Sequence, residues 1–216
     1  MRELLFEGSA RLGLTLSEEQ VSLFITFHNE LKKWGKKMNI TALIKNENRL
    51  AEELFLDSLS PLKIILPLIN TDDANENHIL DIGSGGGFPG IPLKIAAPSL
   101  LITLSDSKEK KIFFLKHVFR ALHLKEIGAV NVTYGMDGAR GLEKNKYRWA
   151  ISKAVSDIQT LGLWARPHLV KGGHLICMKA LKEPQIPIEG FKYGKEYTYS
   201  LPFSGMKRRL ILYEKV

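Results

Sequence analysis

The stretch HILDIGSGGGFPGIPLKI gathers the residues best suited to hold a small charged ligand. An apolar run ends at Asp81 and leads into Gly83, Ser84, Gly85, Gly86 and Gly87, then Phe88-Pro89-Gly90 and a helical pattern. A strand-to-helix turn at the carboxyl edge of a parallel sheet needs left-handed backbone angles and close approach of backbone to ligand; a Cβ obstructs both. The turn therefore points to a nucleotide-like ligand. Asp106 ends the next apolar run, where a carboxylate accepts hydrogen bonds from ribose hydroxyls; the competing reading is a helix N-cap. Asp137 and Gly138 follow the third run, at the edge where an adenine would lie, although Asp-Gly is also a turn dipeptide. Lys153 closes YRWAISKAV and projects over the same edge, as an ordinary surface lysine also would.

Nucleophilic or metal chemistry finds no support. His78, His117, His123, His168 and His174 are scattered, and no HExxH, paired cysteine or acidic cluster has metal-ligand spacing, so no metal and no catalytic side chain are expected. The single cysteine, Cys177, lies inside HLICMK and reads as a small buried hydrophobe.

Elements that could position these residues follow from periodicity. From about residue 78, HILDIG, LLITLSDS, AVNVTYG, YRWAISKAV and GGHLICMK alternate with helical patterns, which predicts βαβ units and a parallel sheet. EYTYSLPF and RRLILYEKV, separated by SGMK, predict a closing antiparallel hairpin, and KEPQIPIEG reads as the surface loop before it. Upstream, Ser17 and Gln20 form a capping-box signature. Val21, Phe24, His28, Leu31 and Trp34 then recur at helical spacing, which predicts a helix over 17–34. His28 and Trp34 read as packing residues on that stripe. A second helix is predicted over about 46–66, with Leu50, Leu54, Leu59 and Leu62 near one face. The chain thus divides into a helical extension, 1–70, packed on a ligand-binding core, 71–216.

Composition adds a partner class. The 31 basic residues exceed the 23 acidic ones, for a formal charge of +8, and such an excess favours polyanions through counterion release. Lys36 and Lys37 flank Trp34 with two further lysines, Lys111 belongs to a cluster after the second strand, and Arg208 lies in a basic run near the end. No apolar run is long enough to span a membrane, and the first residues lack the apolar stretch of a signal peptide, so a cytoplasmic location is expected. A monomer is expected.

Gly85, Gly87 and Gly90 satisfy G-x-G-x-x-G, yet Pro89 and Pro92 interrupt the dinucleotide fingerprint, and strand-Asp-x-Gly-x-Gly-x-Gly resembles methyltransferase motif I instead. WGKKMNITAL, FLDSL, LDIGSGGGFPGIPLKI, SDSKEKKIFFLKHV, ISKAV and LVKGGHLICMK occur in the order seen in the GidB/RsmG family, which the chain resembles from about residue 31 to its end. The resemblance implies a Rossmann-like class I methyltransferase fold. That fold has a mostly parallel seven-stranded sheet, an antiparallel C-terminal hairpin and an N-terminal helical extension. It also implies S-adenosylmethionine as cofactor and N7 of a guanine in small-subunit (16S) ribosomal RNA as acceptor. By the same resemblance Gly83, Gly85 and Phe88 contact the cofactor, Asp106 addresses its ribose, Asp137 and Gly138 lie at its adenine, and Lys153 sits near its methionine end or the RNA. The chain departs from the family pattern at Lys153, where the pattern has Arg. Asp137-Gly138 replaces Ala-Glu after an Arg that is here Met136, and Glu53-Leu54 replaces Arg-His. Exchanging Arg for Lys at position 153 turns a planar five-donor fork into a point charge.

Guanine N7 carries a free in-plane lone pair, so methylation there needs orientation rather than a general base. Two other readings stand beside this one at the level of sequence: a noncatalytic RNA-binding module that keeps the cofactor pocket, and a small-molecule or dinucleotide-dependent enzyme.

Overall fold

The computed structural model describes residues 1–38, 46–69, 77–135, 138–181 and 186–216, and the side chains at 36–38 and 138 are outside that description. The contacts expected of Lys36, Lys37 and Asp137 therefore lie outside the described residues, as does part of the loop KEPQIPIEG.

Two helices open the chain, α1 (Arg2–Arg11) and α2 (Glu18–Met38). The capping box that starts α2 is formed: Gln20 N donates to Ser17 Oγ at 3.1 Å and Ser17 N to Gln20 Oε1 at 2.8 Å. The helix runs a turn beyond the predicted end, with Gly35 in helical geometry, because Trp34 is still packing, on Phe113, Phe114 and His117. Helix α1 was not anticipated. Its small Gly8 lets it lie against Leu56, whose Cδ1 would stand 2.2 Å from a Cβ there.

The predicted single helix over 46–66 is instead a composite. It runs α3 (Glu47–Leu50), a π turn (Ala51–Leu56), a 3-10 turn (Asp57–Leu59), α4 (Leu62–Ile65) and a last 3-10 turn (Leu66–Leu68). Ser58 Oγ donates to Leu54 O and Ser60 Oγ to Asp57 O, and such side-chain bonds compete with the regular ladder. Pro61 removes a further donor.

The α/β region follows as β1 (His78–Ile82), α5 (Gly90–Ala96), β2 (Leu101–Asp106), α6 (Glu109–Ala121) and β3 (Ile127–Asn131). Then come the two-residue strands β4 (Tyr134–Gly135) and β5 (Gly138–Ala139), followed by β6 (Tyr147–Lys153) and α7 (Ile158–Ala165). β7 (Leu169–Ala180), β8 (Phe191–Ser200) and β9 (Lys207–Lys215) complete the chain. The third predicted strand stops at Asn131 rather than running through AVNVTYG. Asn131 Nδ2 and Val132 N both bond Asp106 O, which turns the chain into the separate β4–β5 pair.

The seven-stranded sheet has the order β3-β2-β1-β6-β7-β9-β8. β1, β2, β3, β6 and β7 pair in parallel, while β9 pairs antiparallel with both β7 and β8. This is the mostly parallel sheet with a closing hairpin that the sequence predicts. Successive residues bury on opposite faces: Ile79, Trp149 and Ile176 join one apolar cluster, and Leu80, Ala150 and Cys177 the other. The first cluster is continuous with Leu5, Phe24, Phe27, Phe55 and Leu59 of the N-terminal helices. Among the described residues no helix is long and apolar enough to cross a membrane.

Candidate functional site

Strand order reverses between β1 and β6, since β2 and β3 lie to one side and β7 to the other. Ligands of open α/β sheets bind in the crevice outside such a switch point. A cleft of about 450 Å³ opens there, lined by Gly83, Gly85, Asp106, Tyr134, Lys153 and Trp164 among others. Gly83 and Gly85 hold φ of 73° and 56°, the left-handed angles the turn requires. At Gly83 a Cβ would stand 2.7 Å from both Val155 methyls, so side-chain-free backbone forms the cleft floor.

Asp81 supports this turn from beneath. It is fully buried, and its Oδ2 accepts the Gly90 N–H at 2.8 Å, the first turn of α5. Its Oδ1 has no partner among the described residues. Burial pushes the carboxyl up to about 7, against the opposing pull of the Gly90 N–H and the Ser84 side chain.

The N-cap of α6 is Lys108 rather than Asp106, which lines the cleft. Its Oδ1 accepts the Lys108 N–H at 3.0 Å at the entry to α6, while Oδ2 accepts Gly85 N at 3.0 Å and pairs with Lys111 Nζ at 3.0 Å. One carboxylate thus joins the glycine turn, the next helix and the cleft wall. Lys111, expected among the RNA-binding lysines, lines this cleft. Phe88, expected to touch the cofactor, does not line it: the ring is buried, 5.4 Å from Phe27 and 5.9 Å from Phe55, so it braces the turn against the N-terminal helices. Gly138 pairs with Gly135 in the small hairpin.

Sequence reasoning missed the aromatic wall. Tyr134 and Trp164 stack at 5.2 Å with an interplanar angle of 24°, and Tyr134 Oη lies 2.7 Å from Ser105 Oγ. Burial raises the Tyr134 pKa, so the hydroxyl stays protonated. Its signal was faint, because an aromatic residue three positions past a strand resembles any core residue.

Lys153 closes the cleft on its other side and also lines a second cavity of about 320 Å³, with Asp57, Lys179, Tyr199 and Arg208. Its Nζ lies 2.8 Å from Asp57 Oδ2 and donates to Glu53 O at 2.6 Å. Tyr199 Oη donates to Asp57 Oδ1 at 2.6 Å. Asp57 was legible only as an acidic residue within the apolar run FLDSL, a charge that must find a partner once buried. The Asp57 and Lys153 side chains bring the composite helical segment to the end of β6. Among the described residues no three His, Cys, Asp or Glu side chains converge as a metal site.

Bare glycine backbone, an acidic residue at the second strand end and an aromatic wall suit an adenosine with a charged tail. Residues 20–208 match the family model GidB, described as rRNA small subunit methyltransferase G. The chain belongs to the GidB family. This GidB-family chain is 38% identical to the ribosomal RNA small subunit methyltransferase G of Geotalea uraniireducens, across 100% of this chain and 97% of that protein. It is 35% identical to the protein of the same name from Geobacter sulfurreducens, across 96% and 94%. Among solved structures it resembles a SAM dependent methyltransferase from Aquifex aeolicus, with a TM-score of 0.57 at 16% identity over 84% of this chain and 98% of that one. That likeness concerns the fold alone. GidB membership decides the two readings of the glycine pattern in favour of methyltransferase motif I.

Proposed function

We propose that this chain transfers a methyl group from S-adenosylmethionine to N7 of a guanine in 16S ribosomal RNA. The observation that carries the reading is the cleft at Gly83, Gly85 and Asp106 in a chain whose residues 20–208 match the GidB family. In this reading the cofactor lies over Gly83 and Gly85, Asp106 takes the ribose hydroxyls, and Tyr134 and Trp164 wall the adenine beside Asp137 and Gly138. Phe88 acts from the core by holding the turn, while Lys153 stands at the end where the methyl group is transferred. Lys36, Lys37 and Arg208 hold RNA phosphates, and Lys111 holds Asp106.

When bound, S-adenosylmethionine supplies a methyl group activated by its sulfonium. No side chain has to take a proton, because guanine N7 presents a lone pair and loses no hydrogen. The protein's share is orientation, an effect that supplies about 7–11 kcal/mol when the reacting atoms are held within near-attack distance. The aromatic wall and the apolar side of the cleft exclude water from the adenosine, and the net charge of +8 draws the RNA. The enzyme acts as a cytoplasmic monomer, which sedimentation velocity checks by a single species near 24.3 kDa.

Labelled S-adenosylmethionine, offered with unmodified small-subunit RNA both naked and within subunits, tests the reaction. Label recovered as 7-methylguanosine after nuclease digestion is the expected result. Cofactor binding without any labelled base would leave a noncatalytic module or a different substrate.

A further inference from the structure

Two cavities meet at Lys153 and Ala154, and in the reading above the cofactor lies in the first. Resting on the guanine-N7 reading above, we propose that the Lys153–Asp57 ion pair reads the acceptor base, selecting guanine through its O6 and N1–H.

The pair places a donor beside an acceptor, with Lys153 Nζ 2.8 Å from Asp57 Oδ2. Around its rim guanine presents N7, O6 and N1–H in that order: two acceptors, then a donor. An ammonium on O6 and a carboxylate on N1–H satisfy both partners. Adenine offers the reverse, an amino group to the ammonium and a bare nitrogen to the carboxylate. Setting donor against donor and lone pair against carboxylate in a desolvated site is how an analogue is rejected strongly.

Placement of the two residues also orients the base. Lys153 lines both cavities and Asp57 only the second. With O6 at Lys153 and N1–H at Asp57, N7 falls on the cofactor side of O6. Specificity and the direction of attack then come from one set of contacts. The backbone at this junction is unusual, since Ala154 is a non-glycine residue at φ 55°.

Both groups have capacity for a ligand. The contact of Lys153 Nζ with Ser58 Oγ spans 3.4 Å, long enough to yield to a carbonyl oxygen. Each Asp57 oxygen accepts one bond, from Tyr199 or Lys153, and a carboxylate oxygen has a second lone-pair position. Burial, then the Asp57 charge, raises the Tyr199 pKa, so its hydroxyl remains a donor and fixes the carboxylate.

The test is a base series in the intact chain: subunit RNA carrying guanine, inosine, 2-aminopurine or adenine at the methylated position, with methyl transfer and RNA binding both measured. Inosine keeps O6 and N1–H and should be used within about threefold of guanine; 2-aminopurine and adenine keep N7 but lose both groups and should fall by about 10²-fold or more. Asp57→Asn should narrow the guanine to 2-aminopurine ratio at least about tenfold while cofactor affinity by calorimetry is unchanged. A residue with only a structural role would slow every base alike and leave that ratio fixed, which overturns the assignment; so does equal use of guanine and 2-aminopurine by the unsubstituted enzyme. If Asp57→Asn fails to fold, the base series on the unsubstituted enzyme decides alone. Absence of 7-methylguanosine from the guanine RNA defeats the parent reading instead, and is seen in a separate arm.

Discussion

The Gly90 N–H points at Asp81 Oδ2 from 2.8 Å, beneath the glycine turn and wholly out of solvent. A carboxylate at a helix N-terminus is favourable, yet here burial outweighs that help and lifts the carboxyl to about 7. The folded chain therefore keeps a proton that the unfolded chain releases near its ordinary value of 3.8. Stability should fall as pH rises from about 4 through about 7 and then level off, by on the order of 1.4 kcal/mol per pH unit inside that window. Asp81→Asn, which keeps an oxygen for Gly90, should remove this dependence. Urea unfolding of both proteins at pH 5, 6, 7 and 8 checks it: the difference between them should grow with pH, and a constant difference would sink the idea.

Gly83 tests whether the turn serves the ligand or merely the fold. A Cβ there meets both Val155 methyls at 2.7 Å, and φ of 73° is costly for any other residue. Gly83→Ala should lower thermal stability by only about 1–2 kcal/mol, because Val155 is exposed enough to move. Cofactor affinity by calorimetry should drop much further, by about 10²-fold, as the methyl group and the displaced Val155 enter the cleft. Equal losses in stability and affinity would mean that the glycine is needed for folding alone.

Much of this architecture was legible because buried parallel strands are written as continuous apolar runs; Asp106 and Lys153 each close one of them, and Asp81 stands one residue before the end of another. The hairpin was legible from two β-rich runs around a short turn. What the sequence hides are relationships made by packing. Phe88 sits among glycines like a ligand contact, but the N-terminal helices supply Phe27 and Phe55 and claim its ring. Helix α1 has too weak an apolar stripe to declare itself; its Leu5 is buried by contact with later elements. Asp57 and Tyr199 are far apart in the chain and meet only when the hairpin folds beside the composite helical segment.

Trp164 offers a test of the aromatic wall. It stacks on Tyr134 at 5.2 Å and lines the cleft while remaining half-buried, so truncation removes a wall without opening the core. Trp164→Ala should weaken cofactor binding about tenfold, the scale of one lost aromatic contact, with only a small change in melting temperature. Trp164→Phe should restore most of the affinity. If the alanine variant binds the cofactor as the parent does, the adenine does not lie against this wall.

Arg208 separates phosphate contact from base recognition. It lines the second cavity on β9 and makes no ion pair among the described residues. Release of counterions from RNA makes binding fall with salt in proportion to the phosphates neutralised. Arg208→Ala should weaken binding uniformly across RNA sequences and reduce the slope of log affinity against log salt by about one. The guanine preference should survive, because Asp57 and Lys153 are untouched. Fluorescence anisotropy over a salt series, with guanine and 2-aminopurine RNA side by side, reads both quantities. An unchanged slope together with a lost guanine preference would move Arg208 from the phosphate to the base and reassign the cavity wall.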